Sequence, residues 1–544
     1  MKFLITMRFI FFFLVVALTS PLGAMDFSVL EKLPIQEGGR KKPFLVFAEE
    51  STLGLSGKPS VTIDDQKSQA MAFVTGLWLV PEGHQKLPVI LVNKRALKEA
   101  CGLDLNRKLF SYEELVANTE LRSKLTEAAM LRARPGNNRL TGIPKDAADV
   151  GMRLAAIEAL ASGEAFRVVP NPDLSDGAWS VLSQKELSPL RTAYLGNDQA
   201  AFDAAALSII ESLVVRSPEF QPPAWKIDLE ALYQKSHPIR WAWILYLAAG
   251  VVLMMAGKTQ AGYAAGWALA VAGFLMQIGG FMARVVIAGR PPVTNMYESV
   301  IWAAFGVVLF AFVFEAIYRS RTILLAAVPV AVASLILADS QPMALSRSIS
   351  PLMPVLRDNF WLTTHVLTIT LSYGAFALAL GIGHITLGTV IKGGKPAPAL
   401  YNYLYRVLQV GILLLAVGTV LGAVWANYSW GRFWDWDPKE VWALVALLSY
   451  LFVLHGRIAG KWGGFGMSVG AVLCFQTVIM AWYGVNFVLG VGLHSYGFGS
   501  GGFSYAITFV IVELLFVAIA VIRRPRSGSP QSPTTTDVPS LTRS

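Results

Sequence analysis

Residues 425–442 read WANYSWGRFWDWDPKEVW and hold five of the chain's 15 tryptophans: Trp425, Trp430, Trp434, Trp436 and Trp442. The apolar run LQVGILLLAVGTVLGAV (408–424) comes before the stretch and ALVALLSYLFVL (443–454) after it. Two such runs joined by a polar, aromatic segment predict a helical membrane hairpin whose connection lies at the water boundary. Indole rings collect at that boundary as an interfacial belt. A belt accounts for a few scattered rings, whereas W-G-x-x-W-x-W-D-P-K-E crowds three rings beside Asp435, Asp437, Lys439 and Glu440. The alternative is a flat aromatic platform for a large planar ligand, with charged groups at its rim.

Moving outward, the 544 residues are 54% hydrophobic and 15% charged, the composition of a multispanning membrane protein. The net charge of +10 is not gathered into a basic domain. Its lysines and arginines lie in short loops between apolar runs, where bilayer orientation explains them and nucleic acid is not needed. Nine runs approach the ~20 residues needed to cross, starting near residues 241, 262, 298, 322, 361, 406, 439, 465 and 503. Lys258, Arg319, Arg321, Lys392, Lys395, Arg406, Arg457, Lys461, Arg523, Arg524 and Arg526 then fall on one side, predicted to be cytoplasmic. GRPPVTNMYES, the stretch from Asp339 to Phe360, the tryptophan loop and GLHSYGFGSGG fall on the other.

The expected class is an all-α polytopic membrane protein with an exported N-terminal domain. Residues 1–24, with Lys2 and Arg8 ahead of an apolar run, read as a signal peptide or anchor. Residues 25–237 read as a soluble, mixed α/β or α-rich domain. In it AMAFVTGLWLV (70–80) and LPVILVN (87–93) are expected to be strands, and segments 113–133 and 147–163 helices. Residues 238–524 form the membrane domain, and 525–544 a disordered, Pro/Ser/Thr-rich cytoplasmic tail. Cys101 and Cys474 are the only cysteines, so there is no disulfide framework, no CxxC pair and no CxxCH haem attachment site.

WGRFWDWDPKEVWALV resembles the WWD signature of the CcsA (ResC) family, the haem-handling part of the system II cytochrome c synthase. The related WWD proteins of system I differ just after the tryptophans. The resemblance covers roughly residues 237–524, and WLTTHV and GLHSYGF resemble the family's two external-haem motifs. It implies that His365 and His494 are axial ligands of a haem b lying against Trp425, Trp430, Trp434, Trp436 and Trp442, with Asp437 in the same motif.

His455 corresponds to the family's intramembrane histidine, a ligand for haem arriving from inside. It lies 16 residues past Lys439, about 24 Å deeper. His384 lies about 28 Å along the helix from His365 and either replaces a partner's ligand or bonds a neighbouring helix. Arg284 and Arg290 are candidates to pair with haem propionates, with snorkelling as the alternative for Arg284.

The resemblance further implies synthase activity on the CxxCH thiols of apocytochrome c in a complex with a CcsB/ResB-like membrane protein. A thiol-reducing thioredoxin-like protein would keep those thiols available. The site would be the bacterial inner membrane, with the N-terminal domain and the tryptophan loop on the periplasmic face. Two alternatives remain at this level: a haem chaperone that hands haem on without attaching it, and a general transporter. The latter predicts inverted repeats, which the sequence does not display.

Overall fold

The computed structural model describes residues 25–63, 66–134, 140–171, 177–341, 345–352, 356–489 and 502–524. The expected leader, the tail and His494 lie outside the described residues. The chain divides into two compact units, Met1–Ser236 and His237–Ser544.

In the first unit helices dominate, interrupted among the described residues by four two-stranded antiparallel sheets such as Pro34–Glu37 with Arg40–Pro43. Trp78 stacks on Phe166 at 4.5 Å between centroids, and Phe44 and Phe47 close the same aromatic core. The expected helix over 113–133 is two helices, Tyr112–Ala117 and Thr119–Ala133, divided at the cap residue Asn118, and most of the expected 147–163 lies in Gly142–Ala161. The segment expected to be a strand, 70–80, is instead the helix Ala70–Leu79. Eight of its ten residues are buried, so its apolar side chains face the core all round and carry no period that would separate helix from strand.

In the second unit nine helices among the described residues are long and apolar enough to cross a membrane. Their α-helical parts are α1 (Pro238–Ala256), α2 (Gln260–Ala288), α3 (Met296–Tyr318), α4 (Ile323–Ser340), α5 (Leu367–Ile391, in a span that starts at Asn359), α6 (Pro398–Trp430), α7 (Pro438–Ile458), α8 (Gly464–Ile479, in a span that runs on to Leu489) and α9 (Phe503–Arg523). The protein is thus an all-α polytopic membrane protein, with spans at the nine places its apolar runs predict.

Two of these helices carry π-helical turns, Leu362–Val366 leading into α5 and Met480–Leu489 continuing α8. Such turns insert an extra residue into the helical ladder and occur at functional sites out of proportion to their rarity.

The centre of the unit is the span that contains α5, the most buried of the nine, whereas α9 is the most exposed. Small residues let neighbours approach its backbone. A Cβ on Gly374 would stand 2.9 Å from the Ala303 carbonyl oxygen of α3, so close packing here requires glycine. Polar groups inside the bundle are satisfied across helices: Tyr246 donates to Gln277, whose amide donates in turn to the Ile301 carbonyl.

Candidate functional site

The segment W-D-P-K-E is first a helix-starting device. Asp437 is the N-cap of α7 and accepts from the Lys439 N–H at 2.9 Å, while Pro438 takes the first helical position, where no donor is missed. Glu440, three residues after the cap, accepts from the backbone N–H groups of Asp437 and Asp435. This is a capping box. Trp436, just before it, holds a left-handed backbone with φ 57°, a conformation uncommon for a bulky residue.

The tryptophans are distributed differently from a single flat platform. α6 continues through Trp425 to Trp430, so the connection proper is Gly431–Asp437. Trp434 and Trp436 stand perpendicular, at 88°, and Trp436 is 70% exposed. Trp425 and Trp434 line a cavity, whereas Trp430 and Trp442 are half-buried outside its lining. Helical geometry carries successive rings round the axis, which separates residues that the sequence crowds together.

That cavity, about 180 Å³, lies between the start of α3, the two π-helical turns, α6 and the start of α7. His365 projects into it from the first π-helical turn, with its ring edge-on to Trp425 at 5.7 Å between centroids. Its Nδ1 lies 2.8 Å from the Gly418 carbonyl oxygen. With a carbonyl as acceptor, Nδ1 carries the hydrogen and the lone pair sits on Nε2, the arrangement typical of a metal-ligating imidazole.

Gly422, one turn on from Gly418, forms the floor under the ring. A Cβ there would stand 2.6 Å from His365 Cε1. From the second π-helical turn come Trp482, whose indole donates to Ser299 at 2.9 Å, and Asn486. As it stands the cavity is smaller than the ~300–1,000 Å³ of ordinary small-molecule sites, so a porphyrin would fit only with an edge outside it or with its walls parted.

The other candidates lie elsewhere. Arg284 is 1% exposed, and its guanidinium is bonded to Glu298 at 2.5 Å and to the Arg347 carbonyl, an ion pair that joins α2 to α3. Arg290 donates to the Ser350 carbonyl at 2.6 Å and to Thr294. Neither arginine lines the cavity. His455 is exposed near the end of α7, with Nδ1 on the Leu451 carbonyl.

His384 lies between the Leu380 carbonyl and Glu513 of α9, 3.0 Å from the carboxylate, and stacks on Phe516. Of its two sequence readings, this geometry matches the bond to a neighbouring helix. His384 and Glu513 line a second, mostly apolar cavity of about 520 Å³, which shares Met296, Tyr373 and Trp482 with the first.

The sequence reading passed over Gly418, Gly422, Trp482 and Asn486. The first two form a G-x-x-x-G inside an apolar run, which is itself a signal of close helix approach. Asn486, an amide within an apolar segment, offered another signal.

Residues 293–494 match the family described as Cytochrome C assembly protein. CcsA of Prochlorococcus marinus is 35% identical over 250 residues, covering 39% of this chain and 78% of that protein. CcsA of a Synechococcus species is 34% identical over 261 residues, 42% of this chain and 83% of its own. NrfI of Wolinella succinogenes is 27% identical over 499 residues, 85% of this chain and 53% of NrfI. This chain therefore spans about half the length of NrfI. Residues from His237 onward make up under three fifths of the chain, so the likeness to NrfI extends into the first unit. With this coverage and these identities, the chain belongs to the CcsA family of cytochrome c biogenesis proteins.

Proposed function

We propose that the protein carries haem b to the outer face of the bacterial inner membrane and presents it for covalent attachment to the CxxCH thiols of apocytochrome c. The observation that carries this reading is His365, its tautomer fixed by the Gly418 carbonyl, in a cavity walled by Trp425 and Trp434 between two π-helical turns. His494, in the segment that follows the second π-helical turn, is the other axial ligand, and His455 is an inner ligand for incoming haem.

Attachment adds each S–H across a haem vinyl group, sulfur to one carbon and hydrogen to the other, with no net change in oxidation state. What this chain supplies is position: iron held by imidazole and the macrocycle held by indoles convert a bimolecular encounter into an oriented one. Asp437 and Glu440 serve as helix caps rather than as acid or base. A CcsB/ResB-like membrane protein completes the complex and a thioredoxin-like protein keeps the apocytochrome thiols reduced. Residues 25–237 form an exported domain that docks the apocytochrome or a partner subunit.

The test is expression of the full chain with a CcsB-like protein in a host stripped of its own maturation genes. Holocytochrome c should form in the wild type and not in His365→Ala. Haem bound in the complex without any holocytochrome c would instead identify a chaperone that hands haem on.

A further inference from the structure

Lys439 is the second residue of α7, and its side chain lines the same cavity as His365 and Trp434. Its ammonium donates to the neutral amide of Asn486, at 3.1 Å from Oδ1, and is attracted by the Asp437 carboxylate two residues earlier. Asn486 is itself oriented, since its Nδ2 donates to the Trp482 carbonyl at 3.2 Å and leaves Oδ1 toward the lysine.

The carboxylates nearest along the chain are otherwise engaged. Asp437 accepts from the Lys439 backbone N–H, and Glu440 from two backbone N–H groups of the capping box. Glu298, next in sequence to the lining residue Ser299, is bonded to Arg284 and Thr294. Other cations of this unit are paired outright with carboxylates: the buried Arg284 with Glu298, the half-buried Arg240 and Arg347 with Asp339, and Arg432 with Asp435. A cation in a largely apolar wall, hydrogen-bonded to an amide and sharing its nearest carboxylate with the backbone N–H that Asp437 caps, gains from a further anion.

We propose that Lys439, with Asn486 behind it, binds a carboxylate of the ligand, which for a b-type haem is a propionate. The proposal rests on the haem reading of the His365 cavity. It gives the cavity what an acidic metalloporphyrin requires of one site: an imidazole for the metal, indoles for the ring and an ammonium for the acid group. It also places the propionate contact on α7, while Arg284 is left as a purely structural pair.

The experiment titrates the purified full-length protein in detergent with haem and with haem dimethyl ester, whose acid groups are blocked, and follows the Soret band. The wild type should favour the free acid by about tenfold, the scale of one charge-assisted hydrogen bond. Lys439→Met should bind haem about tenfold more weakly and no longer distinguish the two porphyrins, whereas Lys439→Arg should keep the preference.

Equal binding of acid and ester by the wild type would overturn the proposal, and that comparison depends on no variant. A preference that survives unchanged in a folded Lys439→Met protein would overturn it too. Failure of the wild type to bind either porphyrin would sink the haem reading itself, and the proposal with it.

Discussion

At the scale of single residues, the position of His365 depends on what is missing from α6. Its ring occupies space that a side chain at position 422 would fill, 2.6 Å from Cε1 to an added Cβ. Gly422→Ala should therefore push the imidazole aside at an overpacking cost of about 1–3 kcal/mol. Haem affinity should fall at least tenfold while the helical signal in circular dichroism stays that of the wild type; unchanged affinity would mean that the ring does not need this seat.

Arg284 gives the converse case. It is paired with Glu298 at 1% exposure, so Arg284→Met should lower the melting temperature equally with and without haem, because it leaves a buried carboxylate without its partner. A loss confined to the haem-bound form would restore Arg284 as a propionate contact. His365 is legible in the sequence because an ionisable group in an apolar run demands a reason. Gly422 is not, because glycines are frequent in membrane helices and only the facing side chain shows which of them matters.

At the scale of elements, D-P-K-E is a start signal for α7, and its two carboxylates can be separated from any chemical role. Asp437→Ala removes the N-cap acceptor and should cost about 0.5–2 kcal/mol, read as a lower thermal midpoint. Glu440→Gln keeps an oxygen for the Asp435 and Asp437 N–H groups and should leave haem binding and cytochrome maturation near wild type. Loss of maturation in a stable Glu440→Gln protein would assign the carboxylate to proton transfer.

The capping spacing was available to a sequence reading, since Asp, Pro and Glu stand at the cap, first and third positions. The crowding of indoles drew attention away from it, and the same crowding suggested a flat platform that the turn between α6 and α7 breaks up. The helix Ala70–Leu79 is illegible for a related reason: nearly every face of it is buried, so hydrophobic pattern alone cannot choose its period.

At the scale of the whole molecule, the nine spans were legible because length and continuous hydrophobicity dominate in lipid, where backbone polar groups must be satisfied within the segment. The two π-helical turns that shape the cavity were not legible, since one inserted residue leaves composition unchanged.

The first unit should respond to acid. In the first unit Arg107, with help from Ser111, holds the Glu114 carboxyl at about 2, and Ser183, with help from Arg216, does the same for Glu186. Carboxyls depressed in the folded state stabilise it above their ordinary value near 4.5 and lose that contribution as pH falls toward 2. Both groups are partly exposed, so solvent moderates the effect. Pepsin cleavage of the full-length protein within residues 25–236 should thus rise between pH 4.5 and 2, and the double variant Glu114→Gln, Glu186→Gln should flatten that rise. A pH profile identical in the double variant would show that these carboxyls do not govern acid stability.

The account's central claim is that an imidazole at position 365 holds haem iron. Its most direct test is the absorption and electron paramagnetic resonance spectrum of haem carried by the full-length protein purified with a CcsB-like partner, compared among wild type, His365→Ala and His494→Ala. The account predicts low-spin, bis-imidazole iron in the wild type and loss of that signature, or of the haem itself, in each variant. An unaltered low-spin spectrum with undiminished haem content in both variants would contradict it.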